Sequence, residues 1–168
     1  KIKNKRRDVK MSELIVMLTN NDVTVPDAME TFESVKDLPV KYWGFKDHGM
    51  VPEKMKELAQ YMKKCGKTTF LEVVSYTEEE CMRGAKLAVE CGFDYLLGTL
   101  YFDSVYEYVK KTDLKYCPFV GKVSQTPSIL EGTVEEMLAQ EAAFADKGIY
   151  GTDLLGYRYT GENVDEFC

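Results

Sequence analysis

The sequence predicts an α/β protein in which parallel strands alternate with helices, as in a (β/α) barrel of the TIM type. Apolar segments typical of strands alternate with amphipathic helical segments. The predicted strand ends near Thr19, Asp47, Ser75 and Tyr101 are 28, 28 and 26 residues apart, which indicates a repeated strand-helix unit. Charged residues also interrupt apolar strands, which suits a barrel mouth better than a sheet covered by helices on both faces.

Length and composition indicate one domain that covers residues 1–168. The chain is 45% hydrophobic, which is enough for a real core. We identify about six of the eight units of a complete barrel, so we expect the domain to be incomplete at its C-terminus. No apolar run approaches the ~20 residues of a membrane span, and no secretory leader is evident, so we expect a cytoplasmic protein that does not enter membranes.

The charges are distributed unevenly along the chain. Residues 1–10 form a basic arm with six Lys or Arg residues and one Asp, whereas the rest of the chain carries 16 basic and 27 acidic residues. Because no basic face is rich in aromatic residues, we expect no nucleic-acid partner. The five cysteines include no CxxC pair, which favours reduced structural thiols over a zinc site or a disulfide framework.

Strong signals mark the first two units. The continuous apolar run Glu13–Thr19 is typical of a strand buried on both faces. A helix is predicted after Pro26 and ends at Pro39, which is followed by the strand Val40–Asp47. Pro52 then begins a second helix with an apolar stripe.

The middle units have clear boundaries as well. Thr69–Ser75 is the third predicted strand. Thr77 and Glu80 have the spacing of a capping box, so they predict the start of a helix that ends at Gly92. Tyr95–Tyr101 is the fourth predicted strand.

The last predicted elements are less regular. Pro118 lies inside the fifth predicted strand and removes one hydrogen-bond donor from it. A second capping-box pair, Thr133 and Glu136, predicts another long helix. The elements predicted in this region are a helix over residues 104–111, the strand Lys115–Lys122, the helix after Thr133, the strand Thr152–Tyr159 and a helix over Glu162–Cys168.

Two charged residues within strands are the first candidates for chemistry. Alternation places Lys46 on the face opposite Trp43, at the carboxyl end of its strand, where barrel enzymes place their chemistry. Glu72 interrupts the run of residues 70–74 and requires a cationic partner if it is buried. Lys46, one strand away, is the candidate for that partner. The pair can either transfer a proton next to a carbonyl group or serve as an inert buried salt bridge.

A shared spacing predicts the groups that bind an anion. Gly44 and Lys46 are separated by one residue, as are Gly156 and Arg158. In both cases an inward glycine would leave space for a ligand below the cation. Together with Lys122, these cations predict a mouth that attracts phosphate or carboxylate; the alternative is that Arg158 and Lys122 form surface ion pairs.

Loop residues at the same end of the strands complete the candidate site. Asp47 is a further catalytic candidate, whereas Asp22 and His48, the only histidine, are candidates for contacts with substrate. A single histidine argues against a metal site built on several histidines and against a serine triad. We therefore expect no cofactor, with a Mg²⁺ site on Asp22, Asp47 and Asp153 as the alternative. No glycine-rich phosphate-binding turn follows the first strand, which disfavours nucleotide binding.

Several longer segments resemble a known family over almost the whole chain. These segments are MLTNNDVTVPDAMETFE, WGFKDHG, LEVVSYTEEE, SILEGTVEE and GTDLLGYRYTGE. They resemble a family of prokaryotic single-domain (β/α)8 barrels without an assigned reaction, which is remotely similar to the ribulose-phosphate-binding barrels. The resemblance implies two further strand-helix units after the sixth, and phosphate-binding loops after the seventh and eighth strands.

The sequence therefore predicts an enzyme that acts on a small anionic substrate resembling a phosphorylated sugar. The reaction begins with proton abstraction and enolisation, as in an isomerase, an epimerase or a carbon–carbon lyase. Glu72 is the expected base, Lys46 the group that stabilises the enolate and Arg158 the anchor for the anion. The alternative is a non-catalytic module for binding or assembly, because exposed strand edges can pair with another subunit to form a homo-oligomer.

Overall fold

The computed structural model describes residues 12–161 and contains a parallel sheet packed against helices. The strands are β1 (Ile15–Met17), β2 (Thr19–Asn20), β3 (Val23–Thr24), β4 (Tyr42–Lys46), β5 (Thr68–Val73), β6 (Tyr95–Gly98), β7 (Lys115–Cys117), β8 (Lys122–Ser124) and β9 (Ile129–Glu131). The helices are α1 (Ala28–Val35), α2 (Pro52–Lys64), α3 (Glu78–Cys91), α4 (Asp103–Val109) and α5 (Val134–Lys147), with a 3₁₀ turn at Gly156–Arg158. Each helix from α1 to α4 connects two consecutive strands of the main sheet.

The main sheet follows the order of the chain. Its five strands lie in the order β1-β4-β5-β6-β7, and every neighbouring pair is parallel. This order is what a repeated strand-helix unit produces, since each crossover helix returns the chain beside the preceding strand. The α/β class predicted from the sequence is confirmed.

Alternation along the strands gives the sheet two different faces. Trp43, Phe45, Leu71 and Val73 belong to the main hydrophobic core, which lies between the sheet and α1–α4. The side chains that alternate with them, including Lys46, point to the opposite face, which we call the inner face.

The single tryptophan lies deep in the main core. Trp43 is only 2% exposed, and its indole nitrogen donates a hydrogen bond to the Val40 carbonyl oxygen over 2.9 Å. The ring of Phe32 meets it edge to face, with 5.3 Å between the ring centroids.

The helix boundaries at the capping boxes agree with the predictions. In α5, the Thr133 hydroxyl accepts a hydrogen bond from the Glu136 main-chain N–H, and the Glu136 carboxylate accepts one from the Thr133 N–H. Thr77 caps α3 through the Glu80 N–H. Gly92 adopts a left-handed conformation where α3 ends, as predicted.

Two antiparallel hairpins were not predicted. The pairs β2-β3 and β8-β9 each form a separate two-stranded sheet. Asn21 and Asp22 turn the first hairpin with positive φ angles of 49° and 64°. The strand predicted over Lys115–Lys122 ends at Cys117, before Pro118, which cannot donate a ladder hydrogen bond, and the second hairpin begins at Lys122. A second core, which contains Leu130 and the buried side of α5, surrounds it.

The predicted sixth strand, Thr152–Tyr159, is wrong. Asp153 forms a single parallel bridge with Phe119, and the chain then enters the 3₁₀ turn at Gly156–Arg158. A strand requires a neighbour that pairs along its length, and this segment makes only isolated bridges, from Asp153 to Phe119 and from Tyr159 to Leu130. The helix predicted over Glu162–Cys168 lies outside the described residues.

The remaining composition-based predictions concern thiols and membranes. Cys65, Cys81, Cys91 and Cys117 are free thiols, in agreement with the predicted structural role of cysteine, and Cys168 lies outside the described part. Between residues 12 and 161, no helix combines the length and the apolar character that a membrane crossing requires.

Candidate active site

The centre of the site is a largely shielded ion pair on the inner face of the sheet. Lys46 ends β4 and lies directly beside Glu72 of β5 in the parallel register. The Lys46 Nζ atom is 3.5 Å from Glu72 Oε1, and the two side chains are only 12% and 16% exposed. The predicted pairing of Lys46 with Glu72 is confirmed, and it follows from the period of two in adjacent parallel strands.

The first hairpin holds this end of β4 in place. The Thr24 hydroxyl donates a hydrogen bond to the Lys46 carbonyl oxygen over 2.7 Å and accepts one from the Lys46 N–H over 3.0 Å. The hairpin turn also places Asp22 Oδ1 3.0 Å from Lys46 Nζ. The ammonium group of Lys46 therefore contacts two carboxylates from two different elements.

Asp22 connects the lysine to a second cation. The Arg158 guanidinium lies 3.4 Å from Asp22 Oδ2, whereas Lys46 contacts the other oxygen of the same carboxylate, Oδ1. The hydrogen bond and the charge of Lys46 lower the pKa of Asp22, and the charge of Arg158 lowers it further. Asp22 is therefore a firmly ionised link between the two cations.

The pKa of Glu72 is shifted upwards, in the direction opposite to that of Asp22. Removal from water is the main reason that the pKa of the Glu72 carboxyl is raised, and the charges of Asp22 and Asp47 raise it further, whereas Lys46 opposes the shift. A carboxylate in this situation has an increased affinity for a proton while a neighbouring ammonium can stabilise its charged form. These are the properties required of a general base.

A small cavity of about 260 Å³ connects these groups. We call it the Lys46 cavity; its polar lining comprises Asp22, Lys46, Glu72, Ser128, Tyr157 and Arg158. Four predicted site residues therefore converge: Lys46, Glu72, Asp22 and Arg158. The cavity brings two carboxylates, one ammonium group and one half-exposed guanidinium to a common space.

Asp47 and His48 lie in a different cavity. His48 Nδ1 is 2.7 Å from Asp47 Oδ1, and both residues line a groove of about 880 Å³ beside α2 and α3. Burial raises the pKa of Asp47, whereas the charges of His48 and Arg83 lower it. Since Asp47 follows Lys46 in the chain, it points to the other side of the sheet, and His48 follows it into the groove.

Three details of the predicted anion site are wrong. Gly44 does not leave space for a ligand, because a Cβ atom there would lie 2.7 Å from both Met17 Sδ and the Phe70 carbonyl oxygen. Arg158 reaches the cavity from a 3₁₀ turn rather than from a strand, so Gly156 and Arg158 are not arranged like Gly44 and Lys46. Lys122 is exposed on β8 opposite Glu131 and does not line the Lys46 cavity.

Asp153 is the residue whose position the sequence analysis missed. It was considered as a charged residue in a buried strand and as a magnesium ligand, but it was not linked to the Lys46–Glu72 pair, whose charges act on its carboxyl group. Burial is the main reason that its pKa is raised to about 7, and the charge of Glu72 adds to the shift. An aspartate followed by two leucines in the segment TDLLG was the available signal.

The alternative magnesium site is not formed by the described residues. Asp22, Asp47 and Asp153 do not converge, and between residues 12 and 161 no group of three or more His, Cys, Asp or Glu side chains is arranged to hold a metal ion. Each of the three aspartates instead has its own surroundings, which include Lys46, His48 and Glu72 respectively.

Comparison with known proteins does not identify a relative. No protein-family model matches the chain, and no curated protein sequence matches it significantly. The geometry of the Lys46 cavity is therefore the basis on which a function is assigned.

Proposed function

We propose that this protein is an enzyme that abstracts a proton next to a carbonyl group in a small anionic substrate, such as a phosphorylated sugar. The observation that carries the proposal is the Lys46 ammonium 3.5 Å from Glu72, inside a cavity at the carboxyl ends of parallel strands. The reaction classes that begin with this step are isomerisation, epimerisation and carbon–carbon cleavage.

Glu72 acts as the base and Lys46 as the group that stabilises the enolate. Glu72 removes the carbon-bound proton, the electron pair moves through the new carbon–carbon double bond, and negative charge develops on the former carbonyl oxygen. The ammonium of Lys46 is fixed beside the base, so it stabilises that oxygen without reorganisation. Asp47 contributes from outside the cavity, because its charge raises the pKa of Glu72.

Arg158 provides the anion contact and the cavity sets the size of the substrate. The Arg158 guanidinium is half-exposed at the rim of the cavity. Within residues 12–161, its only ion-pair partner is Asp22. Arginine suits phosphate and carboxylate because it offers a planar pair of donors. A cavity of about 260 Å³ is slightly smaller than the ~300–1,000 Å³ typical of drug-sized ligands. A substrate of few carbon atoms is therefore favoured.

The proposal includes a barrel architecture and a cytoplasmic location. Five parallel strands in chain order, with charged groups at their carboxyl ends, support a (β/α) barrel related to the ribulose-phosphate-binding group.

Hydrogen exchange at carbon tests the proposed chemistry without knowledge of the product. Dihydroxyacetone phosphate and ribulose 5-phosphate are incubated with the protein in D₂O, and loss of the proton next to the carbonyl is followed by ¹H NMR. We expect exchange that Glu72→Gln reduces by about 10²-fold or more. Glu57→Gln, which neutralises an exposed carboxylate on α2, is the matched control. Equal exchange in both variants would reject Glu72 as the base, and no exchange with any phosphorylated ketose would reject the enolisation reaction.

An assembly function is the second candidate, and the exposed edge of β1 favours it. Within the described residues β1 pairs only with β4, and Leu14 beside it is 65% exposed. An apolar, unpaired strand edge is suited to pairing with another chain. Sedimentation equilibrium distinguishes the two candidates: a mass that rises with concentration, and that Leu14→Glu returns to that of a monomer, would support assembly.

A further inference from the structure

We propose that Asp47 and His48 form a second binding site, which takes an uncharged, largely apolar molecule that carries one hydroxyl group. The hydroxyl group donates a hydrogen bond to Nε2 of His48, and the apolar part lies in the groove of about 880 Å³ beside α2 and α3. We call this space the His48 groove. It shares no lining residue with the Lys46 cavity, so the inference goes beyond the proposed function and does not depend on it.

The main chain of Asp47 and His48 is fixed from two sides. Asp47 extends the pairing of β4 with β5, since its N–H donates a hydrogen bond to the Glu72 carbonyl oxygen over 3.2 Å. The His48 carbonyl oxygen accepts a hydrogen bond from the Thr24 N–H of the first hairpin over 2.9 Å. The two side chains therefore project from a supported strand end, which gives them a defined geometry.

The Asp47 carboxylate orients the imidazole ring of His48. Its Oδ1 atom is 2.7 Å from His48 Nδ1, and the Asp47 side chain is only 7% exposed, whereas that of His48 is 57% exposed. An ionised carboxylate can only accept hydrogen bonds, so Nδ1 carries the proton of the neutral ring. The other nitrogen, Nε2, then has a free lone pair and no hydrogen-bond partner within residues 12–161. His48 thus presents one acceptor to the groove.

Arg83 on α3 supports the ionised form of Asp47. Burial raises the pKa of Asp47, and the charges of His48 and Arg83 oppose this shift. The Arg83 side chain is exposed, lines the groove and forms no ion pair with another described residue, so no other carboxylate competes for its charge. The dyad therefore has its own cation, as the Lys46–Glu72 pair does in the other cavity.

The rest of the groove is suited to an apolar molecule. A volume of about 880 Å³ lies within the ~300–1,000 Å³ typical of small-molecule sites, which are mostly apolar with a few polar groups. Methionine side chains are flexible and adapt to the shape of an apolar ligand. The apolar lining residues are Met50, Pro52, Met55, Met82 and Leu87.

The charges around the groove favour an uncharged ligand. Its lining contains four carboxylates and two permanent cations, so an anion meets a net negative surface. An ammonium group at His48 would instead be close to Arg83, which acts on Asp47 through its charge. A hydroxyl group donates to Nε2 without either conflict. The charged lining residues are Asp47, Glu79, Glu80, Glu90, Arg83 and Lys86.

The tautomer of His48 is the first test. Because His48 is the only histidine, ¹⁵N NMR of protein without a histidine tag shows a single imidazole. Spectra are recorded at rising pH until they no longer change, so that the ring is neutral. We expect the proton on Nδ1 in the wild type and in Asp37→Asn, an exposed control, and a larger Nε2–H fraction in Asp47→Asn. A wild-type ring protonated mainly on Nε2 would overturn the proposal, because that nitrogen could not accept.

Binding of two matched probes is the second test. 4-Ethylphenol and ethylbenzene are titrated into protein with ¹³C-labelled methionine methyl groups, and the shifts of Met50 and Met82 are followed. We expect 4-ethylphenol to bind about two- to tenfold more tightly than ethylbenzene, because it adds one hydrogen bond. His48→Phe keeps a ring but removes the acceptor, so it should bind both probes equally. Ethylbenzene binding to this variant also shows that the groove is intact.

Three results of this titration would reject the site. The first is equal affinity of the wild type for both probes, and the second is a preference for the phenol that persists in His48→Phe. The third is the absence of shifts at Met50 and Met82 with either probe.

Two charged probes test the choice of an uncharged ligand. We expect 4-ethylbenzoate and 4-ethylbenzylamine to bind the wild type more weakly than 4-ethylphenol does. Tighter binding of either charged probe would overturn the assignment of ligand class. All of these readouts come from the His48 groove, so they are independent of the hydrogen-exchange experiment on the Lys46 cavity.

Discussion

At the scale of single residues, two neighbours at the end of β4 serve different sides of the sheet. Lys46 points to the inner face and contacts Glu72, whereas Asp47 points away from it and binds His48. Both were predicted to belong to one site because both lie at the carboxyl end of the same buried strand. The alternation that separates them was visible in the sequence. Of these two neighbours, Lys46 lines the cavity that also contains Arg158, and Asp47 does not.

The Lys46–Glu72 pair was predictable, whereas the environment of Asp153 was not. A charged residue within Phe70–Val74 requires a partner, and period-two alternation in the neighbouring strand offered Lys46. Asp153 instead owes its surroundings to a single bridge with Phe119. A bridge of one residue has no repeated pattern, so nothing local in the sequence specifies it.

We predict that replacement of Lys46 by methionine destabilises the protein more than neutralisation of Glu72 does. Lys46→Met leaves a buried carboxylate without its cation, so the pKa of Glu72 rises further and stability falls as the pH increases above the range of an unfolded glutamate. In urea denaturation, we expect Lys46→Met combined with Glu72→Gln to recover about 0.5–3 kcal/mol relative to the sum of the single effects. Lys122→Met, on the exposed side of β8, is the matched control. Strict additivity would mean that the two groups do not interact.

For the secondary-structure elements, the sequence signals that mark helix starts predicted the structure better than the periodic patterns that mark strands. Both pairs with capping-box spacing mark helix starts because their hydrogen bonds are local in sequence. The β2-β3 hairpin was missed, although Asn21-Asp22 is a pair that tolerates the positive φ angles its turn requires. Its strands contain two residues each, which is too short for any periodic signal.

We predict that Thr133→Ala lowers the free energy of unfolding by about 1 kcal/mol, because α5 loses the hydroxyl that accepts from the Glu136 N–H. Thr133→Ser keeps a hydroxyl group and should retain most of the stability. Urea denaturation followed by circular dichroism measures both variants. Equal losses for alanine and serine would show that the methyl group of Thr133, rather than its hydroxyl, matters.

We predict a steric conflict in Gly84→Ala, where α3 packs directly on β5. A Cβ atom at position 84 would overlap the Val73 side chain, so the substitution should cost about 1–3 kcal/mol. Val73→Ala removes the overlapping atoms, so Gly84→Ala should cost much less in that background. A thermodynamic cycle of the four proteins measures the coupling, and an unchanged cost in the Val73→Ala background would locate the strain elsewhere.

At the scale of the whole molecule, the repeat predicted the sheet but not its last unit. Strand ends spaced by 28, 28 and 26 residues correspond to consecutive neighbours in a parallel sheet. The repeat ends where the chain forms the β8-β9 hairpin, which starts after Gly121 at a φ angle of 79°. The hairpin and α5 form a second core, so the chain there no longer follows the pattern of one crossover helix per strand.

We predict that Asp153 makes global stability depend on pH in the neutral range. Its pKa is raised from 3.8 to about 7, so its favourable contribution is complete below about pH 4 and is lost as the pH rises towards and through 7. Asp153→Asn should therefore become more stable relative to wild type as the pH increases from 4 to 8. Urea denaturation at several pH values measures the difference. A constant difference would mean that Asp153 has the same pKa in the folded and unfolded states.

The burial of Trp43 provides an optical probe that is specific for unfolding. It is the only tryptophan in the chain, and it faces the helices, whereas Lys46 and Glu72 face the opposite side of the sheet. Its fluorescence should shift to longer wavelengths when the core opens to water, yet change little when an anion enters the Lys46 cavity. One unmodified protein can thus be followed by emission for its integrity and by NMR for its occupancy, with little interference between the two signals.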